Sequence, residues 1–297
     1  AIEFIRDSVK REQPFFLQLS HYAVHSNIVY SESSYSEVGT WTKGQLHFNQ
    51  AYAAMVRDLD ISIGNLLNAY DDLDLGSNTY VILVSDNGGM PVLPQKVNRG
   101  VPYKSGLNSP LLRGKWDLME GGIRIPFAVF GPNISQSSQS DEPVVTHDIL
   151  PTLADLSGSV EEVDEDVEGV SLVPLLRQTE LKVNRALDSL VFHYPHYNLV
   201  GMSEPHSAIR SGDYKLIDFP VSDRQLLFNI NKDIGESNDL STQRADLVSL
   251  LKEKMELYLS EVGAERPEEA YNWETTGKNG NVRTKFFRRY SDDFDKK

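Results

Sequence analysis

The run Thr79-Tyr80-Val81-Ile82-Leu83-Val84-Ser85-Asp86-Asn87-Gly88-Gly89 limits what this chain can fold into more than any other stretch. From Tyr80 to Val84 it is unbroken, apolar and largely β-branched, the pattern of a parallel strand covered on both faces. In open α/β sheets ligands sit at the carboxyl ends of strands, which is where Asp86 and Asn87 fall. A carboxylate beside an amide carbonyl gives two hard oxygen donors, suited to Ca²⁺ or Mg²⁺ rather than zinc. Gly88 and Gly89 permit a sharp turn and a close backbone approach. Taken alone, the same letters also describe an ordinary Asp-Asn-Gly turn.

The flanking sequence extends the α/β pattern. Ala1, Ile2, Phe4, Ile5 and Val9 follow helical spacing with no capping residue before them, so the chain reads as part of a longer protein. Pro14 to Ser20 reads as another buried strand, ending in His21-Tyr22-Ala23-Val24-His25, and residues 28–43 read as a polar surface loop. Tyr52, Met55, Val56, Leu59, Ile63, Leu66, Leu67 and Tyr70 keep the stripe of a long amphipathic helix, broken at Gly76-Ser77-Asn78. Residues 90–112 carry four prolines and read as an irregular loop. A third strand is expected from Ile125 to Phe130, then a helix from Thr146 to Leu156 closed by Gly158. Strand, helix and strand in this order predict a doubly wound, mainly parallel sheet.

The character changes near residue 160. Glu161 to Glu168 is acidic. Leu190–Tyr194, His206–Arg210, Tyr214–Phe219 and Gln225–Phe228 are short, alternating segments that predict an antiparallel meander, and Ser241–Val262 predicts a helix. The expected organisation is an α/β region over 1–160, a smaller α+β subdomain over 161–265 and a polar tail over 266–297. A net charge of −14 and a pI near 4.9 argue against nucleic acid or an anionic membrane as a partner. The absence of cysteine removes thiolate catalysis and Cys-ligated zinc from these residues.

Three expected strands adjoin chemically distinct groups: His21 and His25, Asp86 and Asn87, and Lys115 in a glycine-containing loop. An imidazole, a hard metal site and a fixed cation can together bind a tetrahedral oxyanion and help an alkoxide leave, which suggests hydrolysis of a sulfate or phosphate ester.

The segments PFFLQLSHYAVHS, AAMVRDLDISIGNLLNAYDDLDLGSNTYVILVSDNGG, LLRGKWDLMEGGIRIPFAVFGP, THDILPTLADLSG, SAIRSGDYKLI and LLFNINKDIGESNDL occur in this order. Together they resemble the C-terminal two-thirds of the formylglycine-dependent sulfatases, in the alkaline-phosphatase superfamily. The resemblance implies that Asp86 and Asn87 are Ca²⁺ ligands, with Mg²⁺ possible. It implies that His25 binds the sulfate ester and protonates the leaving oxygen, and that Lys115 neutralises sulfate oxygens. Val24 stands where the family usually has proline, and Leu112-Arg113-Gly114-Lys115 where it more often has Arg-Gly-Gly-Lys. The family's formylglycine, made from Cys or Ser in a C/S-x-P/A-x-R motif, has no counterpart here, nor do its paired N-terminal aspartates or a further Lys/His pair. The nucleophile is therefore expected on an upstream segment or separate chain, and this stretch alone is expected to be inactive. His193, His196 and His206 fall in loops that often line the family's sugar cleft, so a sulfated carbohydrate is the expected substrate and a periplasmic or secreted location is implied. The alternatives are a phosphate or phosphonate monoesterase of the same superfamily, or a non-catalytic glycan-binding remnant.

Overall fold

A computed structural model describes residues 1–25, 27–44, 49–90, 108–135, 137–197 and 204–266. The chain forms two compact units. Among the described residues the first comprises those within 1–83 and 128–135, and the second those within 84–90, 108–127 and 137–266.

In the first unit α1 (Ile2–Lys10) starts without a side-chain cap, as its sequence implied. A second helix, α2 (Glu32–Val38), lies where a surface loop was expected. Its start is set by Ser31, whose hydroxyl accepts from the Ser34 amide at 3.2 Å. Asp58 of α3 (Gln50–Asp72) then accepts from the Ser31 amide (2.6 Å) and from the hydroxyls of Ser31 (2.7 Å) and Ser34 (2.6 Å), pinning α2 to α3. The Asn49 side chain caps α3 by accepting from Tyr52 N–H at 2.9 Å.

β1 (Val81–Val84) neighbours β2 (Phe127–Phe130) in a two-stranded sheet. Two expectations need correction. Pro14–Ser20 is not a strand, and Phe16 is 70 % exposed. A strand needs a ladder partner, and no described residue supplies one. β1 is not covered on both faces either: Leu83 and Val84 are exposed, since no described element packs over them.

The second unit holds α4 (Glu120–Ile123), α5 (Ile149–Ser157), α6 (Val173–Leu176), a four-stranded sheet and α7 (Ala245–Glu261). The sheet is the expected antiparallel meander, β3 (Leu190–Tyr194), β4 (His206–Ser211), β5 (Tyr214–Phe219) and β6 (Arg224–Asn229), in sequential order. Ala208, Ile217 and Leu226 are register partners and share a hydrophobic cluster with Leu118 and Met119. Ile209, Leu216 and Leu227 alternate to the opposite face and pack on Leu251, Met255 and Leu259 of α7. The sheet is thus buried on both faces, with the loop carrying Lys115 running into one side. At the start of α5, the buried Asp148 carboxylate receives a two-pronged ion pair from Arg185 at 2.7 and 2.6 Å.

Candidate active site

β1 runs into Ser85, whose hydroxyl donates to the Asn87 carbonyl at 2.9 Å and closes a tight turn. That turn leaves Asp86 exposed and Asn87 half-buried. Asn87 Nδ2 donates to the Gly88 carbonyl at 2.8 Å, leaving Oδ1 as the amide's remaining acceptor. The next two residues dock backbone against backbone. Gly88 N–H donates to Gly122 O at 2.9 Å, and a Cβ at Gly88 would lie 1.8 Å from Gly121 O. The same crowding holds on the other side: a Cβ at Gly121 would be 2.4 Å from Leu112 O and Arg113 O, and one at Gly122 2.1 Å from Asp117 O. Gly88, Gly121 and Gly122 thus form a backbone seam with no room for a side chain, and beside it Asn108 Nδ2 donates to Gly89 O at 3.0 Å and to Arg113 O at 2.7 Å, bridging the turn and the loop.

Lys115 is stitched into this seam by its own amide, which donates to Gly89 O at 2.9 Å. Arg113 (φ 61°) and Trp116 (φ 80°) flank it in the left-handed region, a cost of order 1 kcal/mol each that the surrounding contacts must sustain. The Lys115 ammonium lies 5.7 Å from the centre of the Trp116 ring. The Asp86-Asn87 turn and the Lys115 loop are therefore brought together. His25 belongs to the first unit: it is exposed, its amide donates to Tyr22 O at 2.9 Å, and its ring lies 5.4 Å from that of Tyr22. His21 is likewise exposed.

A buried ionic cluster, which sequence inspection missed, lies beneath the seam. Lys215 of β5 is fully buried. Its ammonium donates to Leu118 O at 3.0 Å and Glu120 Oε1 at 2.8 Å, and lies 2.6 Å from Glu236 Oε1 as an ion pair rather than an aligned hydrogen bond. Glu236 Oε2 accepts from the Glu120 amide at 2.7 Å, and Arg124 Nε donates to Glu120 Oε2 at 2.6 Å. Burial works against ionisation of Glu120, but Lys215 and then Arg124 hold its carboxyl below the usual range. Burial dominates at Glu236 and raises it despite Lys215. Removing one partner from such a cluster costs about 3–5 kcal/mol, because a buried charge is left uncompensated. The signal was present in the sequence: Lys215 alternates with Ile217 and Phe219, a charge at a core-facing strand position.

Asp117 is also buried. Its Oδ1 accepts from Met119 N–H at 3.0 Å, while Oδ2 is enclosed without a hydrogen-bond partner. Burial, opposed by Arg113, pushes its carboxyl up to about 7. His206 is 1 % exposed and stacks on Phe219 with ring centres 5.5 Å apart. Its Nδ1 meets Glu204 O at 2.8 Å, its Nε2 has no partner, and burial lowers its pKa to about 4. His193 uses both ring nitrogens, against Ser207 Oγ and Glu265 O, each at 2.8 Å. His196 is exposed, edge-on to Tyr194 at 5.7 Å.

Asp86 and Asn87 present a carboxylate and an amide carbonyl beside a glycine cradle, a donor set that fits part of a hard-cation shell. Among the described residues no three His, Cys, Asp or Glu side chains converge to hold a metal by themselves. Among them, too, no helix is long and apolar enough to cross a membrane.

Comparison with known proteins identifies the family. Residues 1–159 match the family described as Sulfatase, and residues 114–261 match the family described as N-sulphoglucosamine sulphohydrolase, C-terminal. A protein named Sulfatase from Formosa agariphila is 31 % identical over 287 residues, covering 87 % of this chain and 48 % of its own length. Human steryl-sulfatase is 30 % identical, covering 81 % of this chain and 43 % of its own. The chain spans about half the length of these relatives. Among solved structures, Ps i-CgsB superposes with a TM-score of 0.72 at 25 % identity, over 95 % of this chain and 59 % of that one. It has also been solved in complex with k-i-k-neocarrahexaose. BT4656, solved with D-glucosamine-2-N,6-O-disulfate, superposes with a TM-score of 0.59 at 26 % identity, over 74 % of this chain and 42 % of that one. The mixed α/β, alkaline-phosphatase-like fold expected from the sequence is the fold of these neighbours, and the chain belongs to the sulfatase family.

Proposed function

We propose that this chain carries the metal-binding and lysine-bearing part of a sulfate ester hydrolase acting on a sulfated carbohydrate. The observation that supports this reading most is the glycine seam, which ties the Asp86-Asn87 turn to Lys115 through the 2.9 Å Lys115 N–H to Gly89 O bond. Hydrolysis breaks the S–O bond to the bridging oxygen, adds water to sulfur and delivers a proton to the departing alcohol. In this reading Lys115 binds sulfate oxygens and offsets charge gathering on the bridging oxygen. His25 supplies the proton to that oxygen. Asp86 and Asn87 hold a divalent cation, Ca²⁺ by preference with Mg²⁺ as substitute, which when bound polarises the sulfate. The nucleophile, a formylglycine by family expectation, lies outside residues 1–297.

The carbohydrate assignment draws on the sulfated sugars bound by the solved relatives and on exposed His196 beside Tyr194. His206 lies on the Tyr194 face but is enclosed, and His193 lies on the opposite face of β3, so His196 is the one of the three histidines offered directly to a sugar. Export to the periplasm or exterior belongs to this reading, as does a division near residue 160 with a polar tail from 266.

The test uses the complete protein. Asp86→Ala and Lys115→Ala are each expected to reduce sulfate release at least a hundredfold with the fold retained. Asp86→Ala should also weaken Ca²⁺ binding by calorimetry, while Lys115→Ala should not. Wild-type turnover in either variant would remove that residue from the site. Faster cleavage of phosphate than of sulfate esters would replace the sulfatase reading with the phosphomonoesterase one.

A further inference from the structure

We propose that the buried Lys215–Glu120–Glu236 cluster is a positioning device for the metal turn and the lysine loop, acting through the glycine seam. The inference rests on the assignment of Asp86, Asn87 and Lys115 made above.

A continuous path supports it. Lys215 is anchored in the centre of a sheet whose neighbours Ile209, Leu216, Ile217 and Leu227 are fully buried, so its backbone has little freedom. Its ammonium fixes Leu118 O and Glu120 Oε1, and Glu236 fixes the Glu120 amide. Both ends of the Leu118–Glu120 segment are thereby set from the sheet. The next two residues are Gly121 and Gly122. Gly121 N–H donates to Leu112 O at 2.9 Å, fixing the start of the Lys115 loop, and Gly122 O accepts from Gly88 N–H at 2.9 Å, fixing the end of the Asp86-Asn87 turn. Every link is a backbone contact or a buried ionic one, so a shift at Glu120 reaches Asp86 and Lys115 without passing through a flexible side chain.

A purely stabilising role would not require this wiring. Leu118 and Met119 already anchor the segment through the apolar cluster. The ionic cluster adds direction: three donors and two carboxylates define one placement of Glu120, where apolar packing tolerates several.

The deciding variant, in the complete protein, is Lys215→Met/Glu236→Gln. It removes one charge of each sign, keeps the Arg124–Glu120 pair and leaves a carbonyl for the Glu120 amide. The expected result is a folded, monodisperse protein whose Ca²⁺ dissociation constant rises at least tenfold and whose kcat falls at least tenfold at saturating Ca²⁺, with KM for substrate changed far less. Wild-type Ca²⁺ affinity and kcat in the folded variant would overturn the proposal and leave the cluster a stability element. If the double variant fails to fold, Glu236→Gln alone, which keeps the Lys215–Glu120 pair, carries the test: a weakened Ca²⁺ affinity supports the proposal and an unchanged one overturns it. Asp86→Ala run in parallel separates the two readings. If it leaves Ca²⁺ binding intact, the metal assignment fails. If it abolishes binding while the cluster variants do not alter it, only the positioning role fails.

Discussion

Asp117 and His206 are buried titratable groups whose shifts oppose one another. His206 has a pKa of about 4 in the fold against 6.5 in the unfolded chain. Between those values the unfolded chain binds a proton that the fold refuses, so stability falls as pH drops from 6.5 to 4. Asp117 has a pKa of about 7 in the fold against 3.8 unfolded. There the fold holds the proton, so stability falls as pH rises from about 4 to 7. Each slope approaches roughly 1.4 kcal/mol per pH unit, and they largely cancel between pH 4 and 6.5. Asp117→Asn should uncover the His206 slope, a loss of stability on acidification through that window. His206→Gln should uncover the Asp117 slope, a loss on raising pH from 4 to 7. Denaturant titrations at several pH values check both; identical pH profiles in wild type and both variants would refute the pairing. Neither group could have been assigned its state from sequence, because each is set by burial in the folded sheet and loop: His206 is covered by Phe219 of β5, and Asp117 is enclosed near Glu236. Gly88-Gly89 and the Asp86-Asn87 turn were legible, since a turn's chemistry is local, whereas their docking on Gly121 and Gly122 was not. Of the ionic cluster only the core-facing charge at Lys215 was legible; its partners were not, because Glu120 meets Lys215 and Glu236 across 95 and 116 residues.

At the scale of elements, period decided what could be read. α3, α7 and the meander follow their apolar spacing, and each appears where that spacing put it. α2 escaped because seven residues with only Tyr35 and Val38 as large apolar groups carry no measurable period; its one signal was Ser31. Pro14–Ser20 misled for the opposite reason: it has strand composition, but a strand is a relation with a neighbour. The end of α5 was read correctly from Gly158, which adopts φ 76°. No atom lies within 4 Å of a Cβ built there, so only backbone conformation resists substitution. Gly158→Ala should therefore cost about 1 kcal/mol with activity retained, measured from the denaturation midpoint. A cost of several kcal/mol would mean that the turn is packed as well as strained.

Across the whole molecule, order is unevenly supported. Both hydrophobic clusters lie in the second unit, around the four-stranded sheet. The first unit carries Phe16, Leu19, Tyr22, Trp41, Ile61 and Phe130 as exposed large apolar groups. Hydrogen exchange on the 297-residue chain should show the slowest amides in β4, β5 and β6 and fast exchange over residues 14–25. Uniform protection across both would refute this division. The glycine seam carries a consequence for how such proteins can be recombined. Where residues 86–89 and 112–122 meet, Gly88 lies backbone on backbone against Gly121 and Gly122, with no side chain at that point to absorb a mismatch. A chimera between relatives that takes one segment from each parent inherits two backbones that were never fitted together. Viable crossovers should leave both segments with the same parent, so the turn and the loop are inherited as one unit although twenty-odd residues of chain separate them.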